Sequence, residues 1–145
     1  MVFSFYVQPY AGWREHGPAV RRHADLIVRL LHNPCLGQRL RHPSGNAPTR
    51  HRWDAFCKLD LPNRLRLIYR READAALVVI ELIGYHVGAG RTGDVYDALQ
   101  DAFALPSGQG HDQMAAGPCC ENVDPAGREV REQDARAALV RLARR

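Results

Sequence analysis

Two strand-like runs lying close together constrain the fold of this chain more than any other feature. Leu77-Val-Val-Ile-Glu-Leu-Ile-Gly84 is almost continuously apolar, of strand length, and bounded by a polar turn and a Gly-rich stretch. That pattern predicts a central strand over Leu77 to Ile83. Just before it, Arg64-Leu-Arg-Leu-Ile-Tyr-Arg70 predicts a second strand over Leu65 to Tyr69. Period-two geometry puts Arg64, Arg66, Ile68 and Arg70 on one face of it. Leu65, Leu67 and Tyr69 take the other face, toward a helix. Three arginines on an open sheet face form a row of bidentate phosphate donors.

The neighbouring segments supply the rest of the domain. Phe3, Phe5 and Val7 alternate with Ser4, Tyr6 and Gln8, predicting a strand over residues 2–8. Gly17-Pro18 opens a helix with proline in its first turn, and Val20, Ala24, Ile27, Val28 and Leu31 recur at helical spacing until Asn33-Pro34 stops the run. Residues 41–51 read as a loop from their Pro, Ser, Gly and Asn content. Trp53 to Leu59 alternates well enough for a strand, and Leu61-Pro62-Asn63 makes a turn. Residues 84–93 form a loop with no phosphate-cradling signature. Asp94 is a good N-cap for a short amphipathic helix carrying Val95, Leu99, Ala102 and Phe103.

The expected fold is α+β: a small antiparallel sheet of about four strands, the N-terminal helix packed on one face, and a short helix after the last strand. Residues 1–105 form this domain. Residues 106–127 lack periodicity and read as a flexible linker, and residues 128–145 as an extra C-terminal helical tail.

Charge is distributed unevenly. The 145 residues carry a formal net charge of +4. Residues 1–71 hold 13 Arg or Lys against 4 Asp or Glu (+9), residues 72–105 hold 1 against 6 (−5), and residues 106–145 balance at 6 against 6. A basic first half beside an acidic neighbour predicts one positive face suited to an anionic polymer. Of the 20 basic residues all but Lys58 are arginine, which also fits a GC-rich coding bias.

No apolar run approaches the ~20 residues that span a bilayer, and the start has neither a basic region nor a long apolar core, so a cytoplasmic protein is expected. Cys35, Cys57, Cys119 and Cys120 form no CxxC pair, and the seven histidines no HxxxH. In a cytoplasmic chain Cys35 and Cys57 read as buried thiols. No metal or cofactor is expected.

Taken together, Arg66-Leu-Ile-Tyr-Arg70, the apolar strand ending in Ile83-Gly84, and Asp94-Val-Tyr96 at a short helix resemble the RelE/ParE superfamily. These are toxins of bacterial type II toxin–antitoxin systems. The resemblance covers residues 53–103 well and the N-terminal strand and helix more loosely. It implies a compact sheet with helices against one face and a cleft on the other. It also implies a metal-independent endoribonuclease acting on messenger RNA, commonly in the ribosomal A site, and held silent by a cognate antitoxin.

In that chemistry the 2′-hydroxyl attacks the adjacent phosphate, so the site needs a base, an acid and cations. The resemblance assigns Arg66 to steady the phosphate, Tyr96 to stack on a base or assist proton transfer, and His86 or Arg91 as a second cation. His86 is a further candidate acid or base because its ordinary pKa lies near neutrality. Arg64, Arg70, Lys58 and Arg52 are the candidate RNA contacts.

The chain departs from the family at Gly84-Tyr85-His86, where a tight Gly-basic-basic turn is usual, and in having its final forty residues. Two alternatives therefore stand beside the nuclease: a ParE-like poison of DNA gyrase that cuts nothing, and a catalytically decayed member retained as a binding module. Tyr96 has an alternative too, as a core-capping ring with a wet hydroxyl.

Overall fold

The computed structural model describes residues 3–40, 53–72, 76–88, 93–105 and 115–120. Strands β4 (Leu65–Glu72) and β5 (Leu77–Tyr85) pair antiparallel and form the heart of the sheet. From Val78 to Ile83 every residue of β5 is buried, as its near-continuous apolar sequence requires. The register slips between Ile68 and Tyr69, which face Leu82 and Ile80, so Glu81 is the extra residue of a bulge.

Strand β1 (Ser4–Val7) runs parallel to β5 on its other side, with Ser4 opposite Leu77 and Val7 opposite Ile80. Beyond β4 come β3 (Cys57–Asp60), β2 (Gln38–Leu40) and β6 (Ala115–Pro118), each antiparallel to its neighbour. The six strands are ordered β1-β5-β4-β3-β2-β6. The architecture is α+β as expected, but the sheet is mixed and larger than an antiparallel sheet of about four strands. Pairing direction is invisible to alternation, and β2 and β6 are too short and too poor in large apolar residues to announce themselves. Ala115-Ala-Gly-Pro118 lies within the segment expected to be linker.

The expected single helix is two: α1 (Trp13–Arg22) and α2 (Ala24–His32), broken at His23. α1 begins four residues before Gly17, after Gly12 in a left-handed conformation (φ 85°), so Pro18 lies inside the helix rather than in its first turn. Gly12 also approaches the Ile83 carbonyl so closely that a Cβ would lie 3.0 Å from it. The stop at Asn33 is where the sequence puts it.

The two faces of the sheet build separate cores. Leu65, Leu67 and Tyr69 join Val20, Ile27, Val28, Leu30 and Leu31 of the helices. On the other face Phe56, Ile68 and Leu82 pack with Trp53 and with Val95, Tyr96 and Leu99 of α3 (Val95–Phe103). Trp53–Ala55 is a 3-10 turn rather than the start of a strand. Among the described residues no helix is long and apolar enough to cross a membrane. The loop 41–51, part of the linker and the tail helix fall outside the described residues.

All four cysteines form disulfides, Cys35–Cys120 and Cys57–Cys119. Cys35 and Cys57 are buried, but the expectation of free thiols is overturned. Their partners sit at the end of a strand that the sequence pattern does not reveal.

Candidate functional site

The β3–β4 register creates the first part of the site. Lys58 faces Ile68 and Asp60 faces Arg66 across the pair, so all four side chains share the face opposite α1 and α2. The Asp60 carboxylate accepts two hydrogen bonds from Lys58 Nζ, at 2.8 and 3.0 Å. It also lies 2.9 Å from Arg66 Nε. That N–H has no aligned acceptor, so the Arg66–Asp60 attraction is one of charge rather than a directed bond. A hollow of about 320 Å³ borders β3 on the helix side, walled by Leu26 and Arg29 of α2 and by Gln38, Lys58, Leu59 and Asp60, so it is not the face that carries Arg66.

The second part comes from the end of β5 and the start of α3. Asp94 caps α3 through a 2.9 Å bond from the Tyr96 amide to Oδ2. Its Oδ1 accepts from the amides of Val87 and Gly88 and lies 2.8 Å from His86 Nδ1. Burial opposes the Asp94 charge, but the bonds from His86 and the three amides outweigh it and hold the carboxyl below its ordinary range. An ionised carboxylate cannot donate, so His86 must carry its proton on Nδ1. In the neutral ring Nε2 is then the acceptor nitrogen.

Tyr96 links the two parts. Its ring meets the His86 ring edge-on, with centroids 5.1 Å apart, and its hydroxyl accepts a hydrogen bond from Arg66. Burial raises the phenol most; Arg66 lowers it and Asp60 raises it, leaving a pKa of about 12. Tyr96 is therefore a neutral hydroxyl at physiological pH.

The structure thus brings together Arg66, His86, Tyr96 and Lys58 of the residues expected from sequence. Arg91 and Arg52 lie outside the described residues. The open row of arginines does not form. Ile68, at 0% exposure, is covered by the second core, and the Arg66 side chain is only 15% exposed. Arg64 sits in the turn before β4 with a left-handed backbone (φ 63°), exposed and off the strand. Arg70 is engaged elsewhere: its Nε donates to Glu81 at 2.7 Å and its Nη1 to Glu72 at 3.3 Å. The Tyr96 ring, 2% exposed, belongs to the core, so in this conformation it cannot stack on a base.

Sequence reasoning missed Asp60, the bond from His86 to Asp94, and Glu81. Glu81 is fully buried and also accepts from Tyr10 Oη at 2.6 Å and Gln8 Nε2 at 3.4 Å. Asp60 was within reach of pattern, since it alternates with Lys58 across a short turn from Arg66. Glu81 gave one signal, a lone acid in an apolar run.

No family model, curated protein or solved structure matches the chain.

Proposed function

We propose that this chain is a metal-independent endoribonuclease of the RelE/ParE type, a toxin acting on messenger RNA under the control of an antitoxin. The observation that carries the reading is the pairing of Lys58 and Arg66 with one exposed carboxylate, Asp60, beside Tyr96, whose ring in turn meets His86. Two cations held by a single anion make a seat for another anion. A scissile phosphate entering there would displace Asp60 and take the same two partners, which favours charge build-up on the phosphorane. Tyr96 accepts from the same guanidinium and helps to position it. His86, with Nδ1 turned to Asp94, is the side chain suited to take the 2′-hydroxyl proton or return one to the leaving 5′-oxygen, and at 7% exposure it must first be uncovered by the entering RNA. Cations and a proton carrier supplied by side chains leave no step that needs a metal.

One observation favours a second reading, the retained binding module: Arg66 and Arg70 are both neutralised by carboxylates in the resting fold.

The test is induced expression of wild type and Arg66→Ala in a bacterial host with mapping of new RNA 5′ ends. The nuclease reading expects discrete cuts within coding regions, absent in a folded Arg66→Ala protein, and cutting by purified protein that persists in EDTA. Arrested replication with intact messages would point to gyrase, and no arrest to the binding module.

A further inference from the structure

The residues 115–120 are attached to the domain in an unusual way. Among the described residues β6 pairs only with three-residue β2, through a register that shifts between Arg39 and Leu40. Its sequence, Ala115-Ala-Gly-Pro118, brings no large apolar side chain to bury, and glycine and proline are poor strand formers. One further backbone bond, Cys119 N–H to the Gly37 carbonyl at 3.0 Å, follows the strand. Backbone pairing of this extent is marginal by itself. What fastens the segment is its end: adjacent Cys119 and Cys120 are bonded to two different places, Cys57 at the start of β3 and Cys35 just after α2.

The core of the sheet beneath is built by residues outside the strap. β4 pairs antiparallel with β5 along its whole length and with β3 over the four residues of that strand, and Leu65, Leu67, Ile80 and Ile83 are among those core residues. A reduced Cys57 would remain in that core as a small apolar side chain.

We propose that Ala115–Cys120 is a redox-releasable strap: reduction of its two disulfides by a dithiol frees it from the β2 edge while the β3–β4–β5 sheet stays folded. The inference is independent of the nuclease reading. In each exchange a dithiol thiolate attacks the strap sulfur, forming a mixed disulfide and breaking the bond to the domain. At Cys120 the leaving group is the Cys35 thiolate, and Arg71 Nη1 lies 3.7 Å from that sulfur, a cation placed to stabilise it. At Cys119, the one partly exposed half-cystine, Cys57 leaves. The second thiol of the reductant then attacks its own mixed disulfide, releasing the strap cysteine and departing as a disulfide. Each bond takes two electrons and two protons, and four protein thiols result. Release exposes the backbone of Gln38–Leu40, beside Lys58 of the candidate site.

The experiment compares the full chain before and after dithiothreitol by alkylation mass mapping and backbone hydrogen exchange. Expected are two disulfides before treatment and four alkylated cysteines after. Amides of 38–40 and 115–119 should lose protection by roughly tenfold or more, with 65–72 and 77–85 unchanged. The double variant Cys119→Ser/Cys120→Ser should show the released pattern with no reductant. Unchanged protection at 115–119 after reduction would overturn the proposal, because the strap would then be held without its disulfides. Loss of protection throughout β4 and β5 would overturn it as well, since the bonds would be staples of the whole fold. Four free thiols in the untreated, air-exposed chain would remove its basis.

Discussion

Asp60 and Tyr69 are single residues whose roles appear only once strands are paired. Asp60 sets the resting state of the candidate site by holding Lys58 and Arg66 together. Asp60→Asn should leave the fold intact and tighten binding of RNA or a short oligonucleotide, most visibly at low salt, as measured by fluorescence anisotropy. Weaker binding by that variant would mean the carboxylate organises the cations rather than competing for them. Tyr69 is fully buried, accepts from the Gly37 amide and donates to the Pro34 carbonyl, both at 3.0 Å. Tyr69→Phe strands both backbone groups and should cost about 1–3 kcal/mol, read as a lower denaturation midpoint at unchanged slope. Gly37 has no freedom here either, because a Cβ would lie 2.5 Å from that hydroxyl. Period-two reasoning correctly turned Tyr69 toward the helices, but its hydroxyl partners depend on where the chain after α2 passes. No local pattern encodes that.

Among the elements, α3 ties stability to the chemistry of the site. Its N-cap was legible because an acid followed by an apolar stripe is a local signal, whereas the bond from His86 to Asp94 depends on where the end of β5 meets the start of α3. The folded Asp94 carboxyl lies below its unfolded value of about 3.9, so its stabilising contribution is complete above that pH. It is lost as pH falls through the lower folded value. Asp94→Ala should cost about 0.5–2 kcal/mol at neutral pH through the lost cap. Asp94→Asn, which can still cap, should flatten the acid limb of a stability-versus-pH curve. A wild-type acid limb that survives in Asp94→Asn would assign it to another group. The starts of β4 and β5 were readable from sequence, but β4 runs on past Tyr69 to Glu72 and β5 through Gly84 and Tyr85, which read as loop. The bulge was not legible: the extra residue, Glu81, finds its partners on Tyr10 and Arg70. The two helices read as one because their apolar stripe continues across the break at His23.

For the whole molecule, the sequence revealed that one sheet would carry a helical layer, and which side of β4 would face it. It did not reveal that the opposite face is also half covered, because Trp53, Phe56 and α3 converge on Ile68 from separate segments. Nor did it reveal the disulfides, since two adjacent cysteines have no spacing rule pointing to residues 85 and 62 positions away. Loops of that length restrict the unfolded chain strongly. Permanent reduction and alkylation should therefore lower the free energy of unfolding by several kcal/mol, about 4 for either bond alone in the chain-entropy view. Denaturant melts of the oxidised and alkylated chain check this, and equal midpoints would refute it.

The parallel pairing of β1 with β5 has a consequence for the order of events during synthesis. Ser4 meets Leu77 and Val7 meets Ile80, so among the described residues β1 has no strand to pair with until β5 has been made. Until then Phe3 and Phe5 have no apolar face to lie against, while α1, α2 and later the β3–β4 hairpin can form from nearby sequence. Closing the sheet with β1 is thus a late, long-range step.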